Sequence, residues 1–206
     1  MEFRLLYAGE LLPSGNRNTR PAEKHAIRRK LHPQLRRQWQ LHKVLRQYAG
    51  YLGNQYDPLP LESEQERFEH GISAIGKHWP MFGHEFVPLI TSEDSVRCSL
   101  DILLLRPEED RFIFKQGDVD GQVKTVFDAL TLPRSIEQVG GGGPQIDEMP
   151  FFCLLEDDRL ISEVRVNADQ LLLLPDHRDV KANDAFAIIH VQISARYPGT
   201  VGNFLA

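Results

Sequence analysis

Lys115-Gln-Gly-Asp-Val-Asp-Gly-Gln-Val-Lys-Thr-Val-Phe-Asp-Ala-Leu130 places three carboxylates and a lysine on one short helical segment, and the rest of the chain is read from it. At 100° per residue, Val119, Val123, Val126, Phe127 and Leu130 fall in one apolar arc. Asp120, Lys124 and Asp128, spaced i, i+4 and i+8, form a polar stripe beside it. The spacing predicts a helix with one packed face and one face turned to something polar. Asp118 stands just before the pattern, where a side-chain oxygen can cap the first-turn N–H groups and the helix dipole favours negative charge. Many ordinary helices begin this way, so the acids gain weight only from a second group. That group is Asp157-Asp158, set between two apolar runs of strand type, Cys153-Leu-Leu and Leu160-Ile. A hairpin tip there would return the pair to the helix start. Converging carboxylates repel one another unless a divalent cation or a proton compensates, and Mg²⁺ takes a few carboxylate oxygens and leaves the rest of its shell to water and phosphate.

Gly117-Asp-Val-Asp-Gly-Gln-Val-Lys-Thr-Val-Phe-Asp-Ala-Leu130, followed by Leu155-Glu-Asp-Asp-Arg-Leu-Ile-Ser-Glu-Val164, resembles the core pattern of the RusA family of Holliday junction resolvases. That pattern runs Asp-x-Asp-Asn-x-x-Lys-x-x-x-Asp-Ala-Leu, then an Asp-Asp pair opening a strand. Leu12-Pro-Ser-Gly-Asn-Arg17 is similar to the Pro-Ser-x-Asn-Arg segment after the family's first strand. The resemblance covers about residues 115–166 and the shorter stretch at 12–17. It implies a homodimeric, Mg²⁺-dependent endonuclease that nicks branched DNA in recombination or repair, with Mn²⁺ as a substitute metal and no organic cofactor. Carried over by position, the metal-binding acids are Asp118, Asp120 and Asp158, with Asp157 as an alternative ligand, and the catalytic lysine is Lys124. The chain departs from the pattern where the family's Asn is Gly121, and where the link from helix to acidic pair runs through a Gly140–Pro144 insertion. Both departures keep a second expectation open: a catalytically degenerate scaffold that binds DNA or assembles with other proteins. Asp118-Val-Asp-Gly121 also matches the start of haloacid-dehalogenase-type phosphatases superficially. Lys115-Gln-Gly ahead of it is not the buried apolar strand those enzymes need, and Gln122 stands where they carry Thr.

With 206 residues, 41% hydrophobic and 26% charged, the chain suits one soluble domain with a sizeable core. No stretch approaches the ~20 apolar residues of a membrane span, and the N-terminus has no signal-peptide pattern, so a cytoplasmic protein is expected. Cys98 and Cys153 lie in strand-like apolar surroundings, as buried reduced thiols would. The net charge of −5 argues mildly against a nucleic-acid partner, but its distribution argues for one. Ten of the 24 Lys and Arg residues lie between Arg17 and Arg46, against the single acid Glu23. Arg17, Arg20, Arg28, Arg29, Lys30, Arg36 and Arg37 of this arm are the candidate phosphate contacts.

Residues 2–8 read as a first strand and 33–48 as a helix with Leu35, Trp39, Leu41, Leu45 and Tyr48 roughly on one side. Ser63-Glu-Gln-Glu66 is a capping-box helix start. Residues 82–91 and 95–106 read as strands joined in a hairpin by Ser92-Glu-Asp94, 151–155 and 159–166 as strands flanking the acidic pair, and 184–195 as the last strand. His70, His78 and His84 share no metal-ligand spacing. The expected architecture is a single α+β domain over 1–206, a mixed or antiparallel sheet with helices on one side. It carries a basic helical insertion at about 17–80 and a Gly-rich loop insertion at about 131–150.

Overall fold

The computed structural model describes residues 1–13, 20–107, 119–139, 143–176 and 179–196. Its described residues form a mixed α+β fold with two sheets and four α-helices. The larger sheet is ordered β1 (Glu2–Glu10), β7 (Asp184–Ala195), β4 (Val96–Arg106), β6 (Ile161–Gln170). Its first two contacts are antiparallel and the β4–β6 contact is parallel. Leu5, Ile189, Ile102 and Val166 stand in register across all four strands. The period-two pattern of β4 buries Val96, Cys98, Leu100, Ile102 and Leu104 against the helices, as alternation in a half-covered sheet requires. The smaller sheet is β2 (Pro80–Met81), β3 (His84–Ile90), β5 (Phe151–Leu155), with β3 and β5 parallel and nearly every residue buried.

Two expected hairpins are absent. Residues 92–94 form a 3₁₀ turn, but β3 and β4 enter different sheets. Asp94 fixes this corner, accepting from the Thr91 N–H and from the Tyr48 hydroxyl. β5 and β6 likewise belong to different sheets, so Asp157-Asp158 sits in a passage between sheets instead of at a hairpin tip.

Among its described residues the basic insertion forms three helices that pack as part of the core. α1 (Pro21–Leu41) runs through Pro33, because Ile27, Leu31, Leu35 and Trp39 on one buried face outweigh the lost backbone hydrogen bond. The chain turns at His42 into α2 (Lys43–Tyr56), so the expected single helix is two. α3 (Glu64–His78) starts on Ser63, whose capping box with Glu66 forms as the sequence predicts. Gly53 and Gly71 let α2 and α3 touch backbone to backbone; a Cβ on Gly71 would collide with the Ala49 carbonyl. α4 (Val119–Leu130) carries the acidic motif and packs against α1, and its last turn runs into β5 through a Thr131–Leu155 bridge.

Candidate functional site

α4 is fixed by polar anchors as much as by apolar ones. Val126, Ala129 and Leu130 are buried, but so are Gln122 and Thr125, while Val119, Val123 and Phe127 are only half-buried. The packed face is thus rotated from the apolar arc. Gln122 Nε2 donates to the Leu11 carbonyl (2.9 Å) and Thr125 Oγ1 to the Leu12 carbonyl (3.0 Å), tying the helix to the end of β1. These bonds satisfy carbonyls just beyond the β1 ladder, which is why two polar residues face inward. Asp120 and Lys124 stand exposed on the opposite face, one turn apart. Asp118 and Arg17 lie outside the described residues.

The C-terminal end of α4 holds a buried electrostatic arrangement. Arg28 is 1% exposed, and its guanidinium donates to three carbonyls: Asp128 (2.6 Å), Thr131 (3.0 Å) and Gln138 (2.9 Å). It caps the last turn, where unpaired C=O groups and the negative end of the dipole favour a cation. Lys24, also 1% exposed, pairs with the Asp128 carboxylate at 2.6 Å. Asp128 is therefore held by Lys24 of α1, not by its i−4 neighbour Lys124. A tertiary partner that loses its water on folding wins over a solvated one on the same helix.

The basic arm accordingly divides. Arg28 faces inward and cannot contact DNA phosphates; its charge serves the end of α4. Arg29 pairs with Glu148 (2.7 Å), and Lys30 donates to the Ala8 carbonyl. Arg20 is exposed at the start of α1. Arg36 and Arg37 are exposed farther along it and, with Arg46, line an open cleft of about 590 Å³ floored by Phe68, Ile72 and Phe152. Arg46 is pinned over the Phe68 ring and bonded to Glu64 and Gln65, whereas Arg36 makes no hydrogen bond or ion pair among the described residues.

Asp157 and Asp158 are tied to the segment that follows α4. Leu155 bridges to Thr131, and Arg134, three residues farther on, bonds both acids: Asp158 at 2.6 Å and Asp157 at 3.1 Å. Arg159 also bonds Asp157 (2.9 Å). The Arg159 hydrogen bond, with Arg134 nearby, lowers the Asp157 pKa to about 2. Asp120 is separated from Thr131 by ~16 Å of helix rise. The acidic pair finds its compensating charge in two arginines. Among the described residues no group of three or more His, Cys, Asp or Glu could hold a metal. The set expected to hold Mg²⁺ also includes Asp118, which lies outside the described residues. The hairpin expected to bring them together does not form.

The histidines have local roles. His32 Nδ1 accepts from the Phe152 N–H (2.8 Å) and its ring stacks on Phe151; His78 stacks on Tyr56, and His70 bonds the Asp57 carbonyl. Burial lowers both His25 and His32 to about pKa 4. Cys98 and Cys153 are free and buried, each pushed up to about 12 by burial. No helix among the described residues is long and apolar enough to cross a membrane. Arg134 and Lys24 are the residues sequence reading missed. A single basic residue carries no signal of its own until the fold gives it a partner. Compared with known proteins, the chain matches no protein-family model, no curated protein and no solved structure.

Proposed function

We propose that the protein acts on DNA as a RusA-like endodeoxyribonuclease, nicking Holliday junctions or related branched duplexes as a homodimer in the presence of Mg²⁺. The observation that carries this reading is the outer face of α4. Asp120 and Lys124 are presented to solvent one turn apart, on a helix whose inner face is tied down by Gln122, Thr125 and Val126. Rigid support of an exposed acid and base is what a hydrolytic site on a polyanion needs. The motif's sequence adds Asp118 immediately ahead of the helix as the acid that would share the metal. The resemblance makes Asp158 the third acid, and in this chain Arg134 pairs with it at 2.6 Å. Arg20, Arg36 and Arg37, with Arg46 in the cleft, supply exposed charge for phosphates.

The test is a nicking assay on synthetic four-way junctions and linear duplex, with and without Mg²⁺ or Mn²⁺. Wild type is expected to cut junctions only with metal, and Asp120→Asn to bind them equally well without cutting. A second reading, a scaffold that binds branched DNA or a protein assembly without cleaving, is favoured by the arginines on Asp157 and Asp158 and by Gly121. Tight junction binding with no cleavage at any metal concentration selects it. Neither binding nor cleavage rejects both.

A further inference from the structure

The larger sheet has two edges and treats them differently. At β1, α1 covers the free backbone: Gln34 bonds both the Leu6 N–H (2.9 Å) and the Leu6 carbonyl (2.7 Å), and Lys30 bonds the Ala8 carbonyl. At β6 nothing does. Among the described residues no side chain reaches the outer backbone edge of Ile161–Asp169, and Ser162–Arg165 are exposed on both faces. The strand has no Pro, no Lys and no bulge beyond its first residues, and its exposed charges, Glu163 and Arg165, are of opposite sign. A row of free N–H and C=O groups on a flat strand is a template for another strand.

The side chains say which strand. We propose that β6 is the homodimer interface, with two copies pairing β6 antiparallel about a two-fold axis at Val164. In that register Glu163 faces the partner's Arg165 and Arg165 the partner's Glu163, and both are exposed in the single chain. Val164, 41% exposed, meets its own counterpart on the axis. Two-fold symmetry doubles each contact, and a strand carrying an acid and a base on either side of an apolar residue is its own complement. Leu172 and Leu173, 80% and 54% exposed, follow β6 in the chain. The two four-stranded sheets would join into one continuous sheet. This inference rests on the homodimer in the proposed function and assigns its surface; it is independent of whether DNA is cut.

The experiment is sedimentation equilibrium on the whole protein, combined with charge exchange. Glu163→Arg sets like charges opposite each other twice across the axis and is expected to weaken the dimer about ten-fold or more. Glu163→Arg with Arg165→Glu restores complementarity and is expected to recover the wild-type dimer. Val164→Cys is expected to cross-link to its own copy under mild oxidation, since paired antiparallel strands hold Cα atoms ~4.5–5.5 Å apart, within disulfide range. Circular dichroism on each variant separates dissociation from unfolding. A wild-type dimer indifferent to Glu163→Arg and unlinked by Val164→Cys overturns the interface alone. Asn167→Cys linking in place of Val164→Cys overturns the register. A wild-type monomer at all concentrations overturns both the interface and the homodimer on which it rests.

Discussion

Replacing Arg28 with Met tests whether the basic arm is built into the fold or turned toward DNA. The guanidinium loses no contact with solvent in this change, because it has almost none; it loses three hydrogen bonds, to the Asp128, Thr131 and Gln138 carbonyls. Each bond to a charged group contributes ~1.5–3 kcal/mol, but the three are not additive, and removing a buried cation returns its own desolvation cost. Met fills the volume of the stem and offers no donor, so the carbonyls at the end of α4 stay buried and unpaired. The net expectation is a loss of ~3–5 kcal/mol, the range found when one side of a buried charged arrangement is removed. Against a total stability of ~5–15 kcal/mol, that is a large fraction. Urea unfolding followed by circular dichroism at low temperature measures it, and Arg28→Lys, with one ammonium in place of the fork, is expected to recover part of the loss. Junction affinity against salt supplies the second axis. Arg28→Met is expected to leave the slope unchanged in protein that remains folded, while Arg36→Ala with Arg37→Ala flattens it and leaves the urea midpoint within ~0.5 kcal/mol of wild type. A stability loss under ~1 kcal/mol, or a salt slope altered as much by Arg28→Met as by the outer pair, would refute the inward role of Arg28.

Asp128→Asn removes the carboxylate from Lys24 and is expected to cost ~2–4 kcal/mol in urea unfolding, whereas Lys124→Ala, on the exposed face, is expected to change the midpoint by under ~0.5 kcal/mol. Gly71→Ala should cost ~2–3 kcal/mol and raise amide exchange in α2 and α3, because its methyl must displace the Ala49 carbonyl. His25 and His32 are held near pKa 4 against an ordinary 6.5, so the unfolded chain binds more protons between those values and stability falls as pH drops through that window. The slope is up to ~1.4 kcal/mol per pH unit for each histidine, and His25→Leu is expected to remove about half of it. Asp157 acts in a different window: its lowered pKa of about 2 contributes stability above the usual carboxylate value, lost only as pH falls further toward 2. Equal urea midpoints at pH 7 and pH 4.5 would contradict the histidine assignment.

Local chemistry settled what the sequence could settle. The period-two runs marked β4 and β7, with β7 at its full bounds, because alternation across a half-covered sheet is written into consecutive residues. Ser63 and Glu66 marked the start of α3, since both halves of a capping box lie within one turn. The helical period of the acidic motif placed α4, and its exposed stripe placed Asp120 and Lys124 outward. Partnership across the chain was decided only by tertiary structure. Residues 92–94 and 156–160 look like hairpin tips in sequence, yet each joins strands of different sheets, because pairing depends on which strand is nearest in space after α1 and α4 have packed. The same holds for charge. Lys24, Arg28 and Arg36 stand on one helix in one basic run, and only the packing of α4 against α1 removes the first two from water and leaves the third exposed. A sequence states how many charges a segment carries; the dielectric and the partner each one meets are set by residues 100 positions away.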